Sequence, residues 1–244
     1  MALQKNERLA VLIDADNAKS DVVAELLAEI SRYGTATIKR AYGDWTTPNL
    51  RGWKEVLNQH AIQPVQQFRY TTGKNATDSA LIIDAMDLLH AGRLDGFCLV
   101  SSDSDFTRLA TRVRESGLVA YGIGERHTPL AFVAACDKFI YTEILRGEPA
   151  AIVEPPVASE DVPALPDLQP MLMAAVQATA REDGWAMLGP VGSLIAKSNP
   201  AFDARNYGFA KLSELVRKQS YLETRDVPMG EGINNFHVQV RLKA

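Results

Sequence analysis

Apolar residues in the first 147 positions form two alternating patterns, short continuous runs and longer stretches with helical spacing. The runs predict strands at 9–13, 35–42, 62–68, 96–100, 119–123 and 139–145. The spaced stretches predict helices at 18–32, near 49–59, and at 78–91, 106–116 and 128–135. Because β and α segments alternate and the strands are apolar throughout, we predict an α/β fold with a parallel sheet covered on both faces.

The last part of the chain has a different pattern. Helical periodicity comes first, at 168–181, 190–198 and 206–219, and residues 221–227 and 236–242 then alternate as strands. The turn-rich segment PMGEGINN separates the two strands. Three helices followed by a β-hairpin is the order of a winged helix-turn-helix domain, so we predict a small domain of this type.

A proline-rich acidic segment lies between the two patterns. Residues 148–167 contain five prolines and five acidic residues but no lysine or arginine. Prolines remove backbone donors and favour extended neighbours, which predicts a semi-rigid linker. We therefore predict domains at 1–147 and 168–244. Because the acidity is concentrated in the linker and binding depends on local patches, the net charge of −4 is only weak evidence against a polyanionic partner.

Composition narrows the class of protein. No run of 18 apolar residues is present, and the first residues lack an apolar stretch of signal-peptide length. We therefore expect a cytoplasmic protein without a membrane span. Cys98 and Cys136 lie in apolar surroundings and form no CxxC pair, which indicates reduced core thiols rather than a disulfide or zinc site.

Two pairs of carboxylates follow predicted strands, Asp14 and Asp16 in LIDADN and Asp103 and Asp105 in LVSSDSDF. Ligands of an open parallel sheet gather outside the carboxyl ends of its strands, so we expect both pairs in one crevice. Asp78 opens the helix predicted at 78–91 and would present a carboxylate from another direction. Clustered carboxylates repel one another unless a cation neutralises them, and oxygen ligands favour Mg²⁺ or Mn²⁺.

Several of these side chains also have a structural interpretation. Asn17 and Asp105 precede predicted helices, where such residues commonly cap free amides. Asp44, after the strand at 35–42, fits a turn as well as a site. Asp84 lies about 240° around the helix from Asp78, so we expect it to have a partner of its own.

Basic side chains lie beside the acids. Lys74 precedes Asp78 by four positions, and Arg108 and Arg112 lie one turn apart on one face of a predicted helix. Taken singly, each suits a solvated surface. Beside a metal site, they would hold the phosphates that flank a scissile bond.

The motifs DADN at 14–17, KNATDSALIID at 74–84 and SSDSDF at 101–106, with the later ESGLVAYGIG and CDKFI, resemble the NYN family, PIN-like nuclease domains of the LabA type. The resemblance covers nearly all of residues 8–146. It implies a PIN-like α/β fold, a carboxylate-lined divalent-metal site and ribonuclease activity. The positions that match the family's motifs are Asp14, Asn17, Asp78, Ser101, Asp103 and Asp105. The position after Ser101 is usually glycine, whereas this chain has Ser102.

The segment LGPVGSLIAKSNPAFDARNYGFAKLSELVRKQSYLETR resembles the OST-HTH or LOTUS domain, a winged-helix module associated with RNA. The resemblance implies binding of G-rich or structured RNA or, in some members, docking to a helicase. The residues that could bind RNA are Arg205, Tyr207, Lys211, Arg217 and Lys218. Tyr207 fits the domain core as well as a stacked base, and each of the three cations at 211, 217 and 218 also suits a solvated surface.

The hypothesis is metal-dependent hydrolysis of RNA, with one or two Mg²⁺ or Mn²⁺ ions held by Asp14, Asp78, Asp103 and Asp105. Asn17 and Ser101 would orient a ligand carboxylate or a phosphate. A phosphatase of the haloacid-dehalogenase type is an alternative for LIDADN, and a small phosphomonoester would test it. A non-catalytic RNA-binding adaptor is the other, and it predicts binding without turnover. The sequence leaves open a homodimer and a helicase or other RNA-processing partner.

Overall fold

A six-stranded sheet forms the centre of the amino-terminal part of the chain, and all five of its strand pairings are parallel. The computed structural model describes residues 7–68, 76–147, 165–228 and 236–243, which divide into two units. The strands are β1 Arg8–Asp14, β2 Thr35–Gly43, β3 Gln63–Gln66, β4 Gly96–Val100, β5 Val119–Gly124 and β6 Lys138–Tyr141. The predicted α/β class with a parallel sheet is confirmed.

Helices cover both faces of this sheet. They are α1 Val23–Ile30, α2 Trp53–Gln59, α3 Ala76–His90, α4 Thr107–Glu115, α5 Leu130–Ala135 and α6 Thr142–Leu145. On one face, Leu9, Val11 and Ile13 of β1 belong to a core that includes residues of α1 and α2. Ala10 and Leu12 alternate to the other face, which α3 contacts.

Two predicted strands are wrong in extent. The apolar run at 139–145 leaves the sheet after Tyr141, and residues 142–145 form α6. A short apolar run does not by itself separate a strand from a buried helical turn, which is why the pattern misled here. The strand predicted at 62–68 is shorter, Gln63–Gln66, at the edge of the sheet, and Pro64 within it is a residue that favours edge strands.

The order of the strands determines where a ligand can bind. It is β3-β2-β1-β4-β5-β6. Strands β2 and β3 are added on one side of β1, and β4, β5 and β6 on the other, so the order switches between β1 and β4. Loops that leave two such neighbouring strands diverge and open a crevice at their carboxyl ends. The acidic motifs after β1 and β4 therefore lie at the same place on the sheet.

In the part of the carboxy-terminal unit that the structure describes, three α-helices combine with a three-stranded antiparallel sheet. Its elements are α7 Leu168–Thr179, β7 Ala186–Met187, α8 Leu188–Ser198, α9 Leu212–Arg217, β8 Leu222–Pro228 and β9 Phe236–Leu242. The sheet order is β7-β9-β8, and β7 was not predicted. The helix predicted at 206–219 is wrong in its first part, because a 3₁₀ turn at Ala204–Tyr207 ends in Gly208 with φ 82°, and α9 begins only at Leu212.

Parts of the sequence-based prediction lie outside the described residues. These are most of the proline-rich linker, at 148–164, and most of the turn-rich segment between β8 and β9, at 229–235. The domain boundaries at 147 and 168 stay predictions. Among the helices that the structure describes, none has both the length and the apolar character needed to cross a bilayer.

A close contact around Gly122 in β5 gives a test of the packing. A Cβ at this position would lie 2.4 Å from Phe139 Cδ2 and 2.7 Å from Cys136 Sγ. Gly122→Ala should therefore lower the free energy of unfolding by about 1–3 kcal/mol, measured by chemical denaturation. The control is Gly52→Ala, where a Cβ would approach only Ser20 Oγ, at 3.2 Å. Equal stability of the two variants would contradict the packing described for β5.

Candidate active site

The carboxylate of Asp14 lies buried at the end of β1, with 3% of the residue exposed. Ser101, the first residue after β4, donates a hydrogen bond from its hydroxyl to Asp14 Oδ2 at 2.8 Å. The backbone N–H of Asp103 donates to the oxygen of the same hydroxyl at 3.1 Å. Ser101 therefore joins the two acidic motifs, and the structure brings these three predicted site residues together.

Three further carboxylates converge beside this point. Asp78 in the first turn of α3 lies near Asp103 and Asp105, and one oxygen from each falls within 4.8 Å of the others. Asp103 Oδ1 also accepts the N–H of Asp105 at 2.9 Å, which caps the 3₁₀ turn Ser104–Phe106. The capping role considered for Asp105 thus belongs to Asp103, whose position before the turn fits it.

Burial is the main influence on the charge of Asp14. It raises the pKa of this carboxyl group to about 7, and the neighbouring charges of Asp78 and Asp16 add to the increase. Hydrogen bonds from Ser101 and from the backbone of Asn17 act in the opposite direction. Asp14 Oδ1 is buried and has no hydrogen-bond partner among the described residues. A buried carboxylate oxygen without a donor is costly, and a cation relieves that cost.

Asn17 and Ser102 connect the loops around the acids. Asn17 Oδ1 accepts the N–H of Ser102 at 3.1 Å, so this predicted site residue fixes the loop after β4 and does not cap a helix. Ser102 Oγ in turn accepts the N–H of Glu125, after β5, at 2.8 Å. The serine at the position that is usually glycine therefore has a bonding role. Sequence reasoning missed that role. The one signal for it was a hydroxyl residue just after the apolar run of β4.

Thr77 was also missed. Its hydroxyl, in a residue that is 6% exposed, donates to Asp16 Oδ2 at 2.9 Å. This bond ties the start of α3 to the loop after β1. It therefore fixes the position of Asp78, the next residue along the helix. The only signal in the sequence was the place of Thr77 inside the KNATD motif.

Two other acids have structural partners instead. Asp84, on α3, accepts a hydrogen bond from the Tyr42 hydroxyl and forms an ion pair with Arg40, both on β2. This arrangement supplies the partner that the sequence required and fastens the middle of α3 to the sheet. Asp44 Oδ1 accepts from the N–H and hydroxyl of Thr46, at 3.2 and 2.6 Å, and from Gln66 Nε2 at 2.9 Å. Asp44 therefore orders the turn after β2.

The described basic residues near the acids differ in their ion pairing. Arg108 is exposed in the first turn of α4, three residues after Asp105. Arg112 lies 3.9 Å from Glu115 in an exposed ion pair. Lys74 lies outside the described residues.

In the carboxy-terminal unit, two of the five predicted RNA-binding residues are held by their own fold. Arg205 forms a two-point contact with Asp203, at 3.0 and 2.8 Å. The ring of Tyr207 packs 6.0 Å from that of Phe202, and its hydroxyl donates to the Pro166 carbonyl at 2.9 Å. These contacts favour a structural role for both residues.

The remaining three, Lys211, Arg217 and Lys218, are exposed, and Arg217 pairs with Asp226. Sequence reasoning did not single out Arg225 and Arg241. Their guanidinium carbons lie 4.1 and 4.6 Å from the centre of a Trp185 ring. The alternation of the hairpin strands was the signal that could have placed them on one face.

The raised pKa of Asp14 has a consequence for stability without metal. Because its folded-state pKa of about 7 exceeds the ordinary 3.8, the folded state binds this proton more tightly, and stability falls as pH rises between these values. Asp14→Asn should reduce the loss of unfolding free energy between pH 5 and pH 8 by about 2–3 kcal/mol in EDTA. An unchanged pH dependence in denaturant titrations would contradict the burial described here.

The sequence was compared with known families, curated proteins and solved structures. The NYN domain model matches residues 8–145, and the OST-HTH/LOTUS domain model matches residues 164–234. Among curated proteins, none matches the chain significantly.

Three solved structures resemble parts of the chain. A protein of unknown function from Vibrio parahaemolyticus is 17% identical over 57% of this chain and 94% of its own, with a TM-score of 0.47. An uncharacterized protein from Nitrosomonas europaea is 28% identical over 36% of this chain and 87% of its own, with a TM-score of 0.29. A segment of a Chromobacterium violaceum protein is 40% identical over 32% of this chain and 82% of its own, with a TM-score of 0.27.

The family matches follow the order of the two units, and the first covers more than half of the chain. The chain therefore belongs to the NYN domain family and carries an OST-HTH/LOTUS domain after the NYN domain.

Proposed function

We propose that this protein hydrolyses phosphodiester bonds of RNA with the help of Mg²⁺ or Mn²⁺. The observation that carries the proposal is the convergence of Asp78, Asp103 and Asp105 next to the buried Asp14. The NYN domain belongs to the PIN-like nuclease superfamily, and the OST-HTH/LOTUS domain is associated with RNA. Both memberships support an RNA substrate over a small phosphomonoester.

The donor set suits a hard divalent cation. It consists of carboxylate oxygens, whereas the two cysteines are buried in the core as free thiols. Mg²⁺ and Mn²⁺ prefer such oxygen ligands, and a cation would offset the repulsion among the three acids. When bound, it would polarise a phosphate oxygen and lower the pKa of a water molecule.

The residues of the site would have distinct tasks. Asp78, Asp103 and Asp105 would hold the cation, and Asp14 would supply a further ligand oxygen from its buried position. Ser101 would keep Asp14 and Asp103 at a fixed separation through its two hydrogen bonds. Arg108, one turn beyond Asp105, would bind a phosphate next to the scissile bond.

The second domain would supply RNA to the first. We propose an NYN domain at 1–147 and an OST-HTH/LOTUS domain at 168–244, joined by the proline-rich linker 148–167. A tethered RNA-binding domain raises the concentration of substrate at the catalytic domain without any new contact at the cleavage site. Lys211 and Lys218 are its best candidates for phosphate contacts, because both are exposed and neither forms an ion pair with a described residue.

Removal of one carboxylate charge tests the hydrolase. Asp103→Asn should lower the cleavage rate of labelled single-stranded RNA in Mn²⁺ or Mg²⁺ by at least about 10²-fold, as expected for loss of a metal ligand. Asparagine is as good a capping residue as aspartate, so the 3₁₀ turn and the fold should persist. Cleavage should also stop in EDTA.

The matched control is Asp87→Asn, an exposed acid on α3, the helix that carries Asp78. It should cleave at the wild-type rate. Full metal-dependent cleavage by Asp103→Asn would show that the site is assigned wrongly. Tight RNA binding by the wild type with no cleavage in either metal would favour the adaptor.

Neutralisation of the two exposed lysines tests RNA capture by the second domain. Lys211→Gln and Lys218→Gln should each weaken binding of single-stranded RNA about fivefold at 0.1 M salt, because one phosphate contact is lost. Lys197→Gln, on α8, is the control and should bind as the wild type does. Unchanged affinity in both test variants would remove these lysines from the interface.

A further inference from the structure

A groove of about 820 Å³ lies beside the edge strand β3 and along α2. Its lining is largely apolar, with Leu50, Leu57, Ile62 and Pro64 among the residues that form it. The other lining residues are Trp45, Arg51, Lys54, Asn58 and Ala61. This volume is in the range of sites that hold small ligands, and none of the functions assigned above uses it.

The charged side chains among the described residues that line the groove are both cations. Arg51 and Lys54 are exposed, and neither forms an ion pair with a residue that the structure describes. None of the described residues that line the groove is acidic, although Glu55 lies nearby on α2. An apolar surface next to unpaired cations matches the chemistry of single-stranded nucleic acid, which offers a base and a phosphate in each unit.

The groove adjoins the acidic site. Strand β2 lies between β1 and β3, and it ends at Gly43, two residues before Trp45. A Cβ on Gly43 would lie 2.7 Å from Leu50 Cδ1, in the groove, and 3.6 Å from Asp16 Oδ1, in the loop after β1. A single glycine therefore separates the groove from the loop that carries the first acidic motif.

Trp45 is held firmly at this end of the groove. Its indole N–H donates to the Val65 carbonyl at 3.0 Å, and its backbone N–H donates to Gln66 Oε1 at 3.1 Å. Its ring packs edge-on against Trp53, with centres 6.3 Å apart. An aromatic ring fixed in this way can contact a base at little further cost in conformational entropy.

We propose that this groove binds the single-stranded segment of RNA that adjoins the scissile phosphate. Bases lie against Trp45 and the apolar floor, and Arg51 and Lys54 bind the phosphates. The choice of RNA as the polyanion rests on the proposed function. The groove would give the NYN domain a substrate contact of its own, separate from the OST-HTH/LOTUS domain.

The test is the salt dependence of oligouridine binding to the full chain in EDTA, where no metal-dependent cleavage competes. The variants are Arg51→Gln and Lys54→Gln. The control is Arg93→Gln, an exposed cation three residues before β4, which is an inner strand of the sheet, whereas the groove lies beside the edge strand β3. Each test variant should bind about fivefold more weakly at 0.1 M salt, and its log–log salt slope should be shallower by about 0.7, since one phosphate contact is lost. The control should keep the wild-type slope.

Test variants with the wild-type affinity and slope would overturn the proposal. Test variants that bind RNA as the wild type does, but that lose a dimer which the wild type forms in sedimentation, would also overturn it. That result would assign the groove to a second copy of the chain. The two proposals fail separately. If the variants weaken binding but the wild type never cleaves RNA, the groove proposal stands and the hydrolase proposal fails. If the wild type cleaves RNA but the variants bind normally, the hydrolase proposal stands and the groove proposal fails.

Discussion

The buried carboxylate of Asp14 needs compensation, and the rest of the site is arranged around that need. One of its oxygens accepts the Ser101 hydroxyl, and the other has no partner among the described residues. Burial and two neighbouring acids raise its pKa to about 7, so without metal this carboxyl group is only partly ionised at neutral pH. The same burial would strengthen the attraction of Asp14 to a cation, because the local dielectric constant is low.

The fold keeps the other acids next to Asp14 through hydrogen bonds from neutral side chains and through an ion pair on α3. The strand order places the ends of β1 and β4 side by side, and Ser101 spans them. Thr77 fixes the first turn of α3 to the loop after β1. The contacts of Asp84 with Arg40 and Tyr42 hold the middle of that helix on β2. Repelling carboxylates are therefore held by a rigid frame, which limits the reorganisation needed when a cation binds.

The ends of β1 and β4, and the acidic residues at those ends, could be located from the sequence because both depend on local pattern. An apolar run that ends in LIDADN or LVSSDSDF shows where a strand stops, and parallel topology brings such ends to one edge. Cross-chain contacts could not be predicted in this way. Arg40 and Asp84 are 44 positions apart, and no periodicity tells which side chain meets which.

Local pattern also failed at 139–145, where the strand ends early, and at 206–219, where the helix begins late, because these limits depend on features outside the apolar spacing. After Tyr141 the chain leaves the sheet and turns into α6, and at Gly208 a positive φ interrupts the helical pattern.

The proposed hydrolysis of RNA requires that a cation held by the acidic cluster contacts the scissile phosphate. The most direct measurement is cleavage of RNA with sulfur in place of one non-bridging oxygen at that phosphate. Slow cleavage of one stereoisomer in Mg²⁺, restored by the more sulfur-tolerant Mn²⁺, is the predicted result. Equal rates for oxygen and sulfur substrates in both metals, or cleavage that persists in EDTA, would contradict the account.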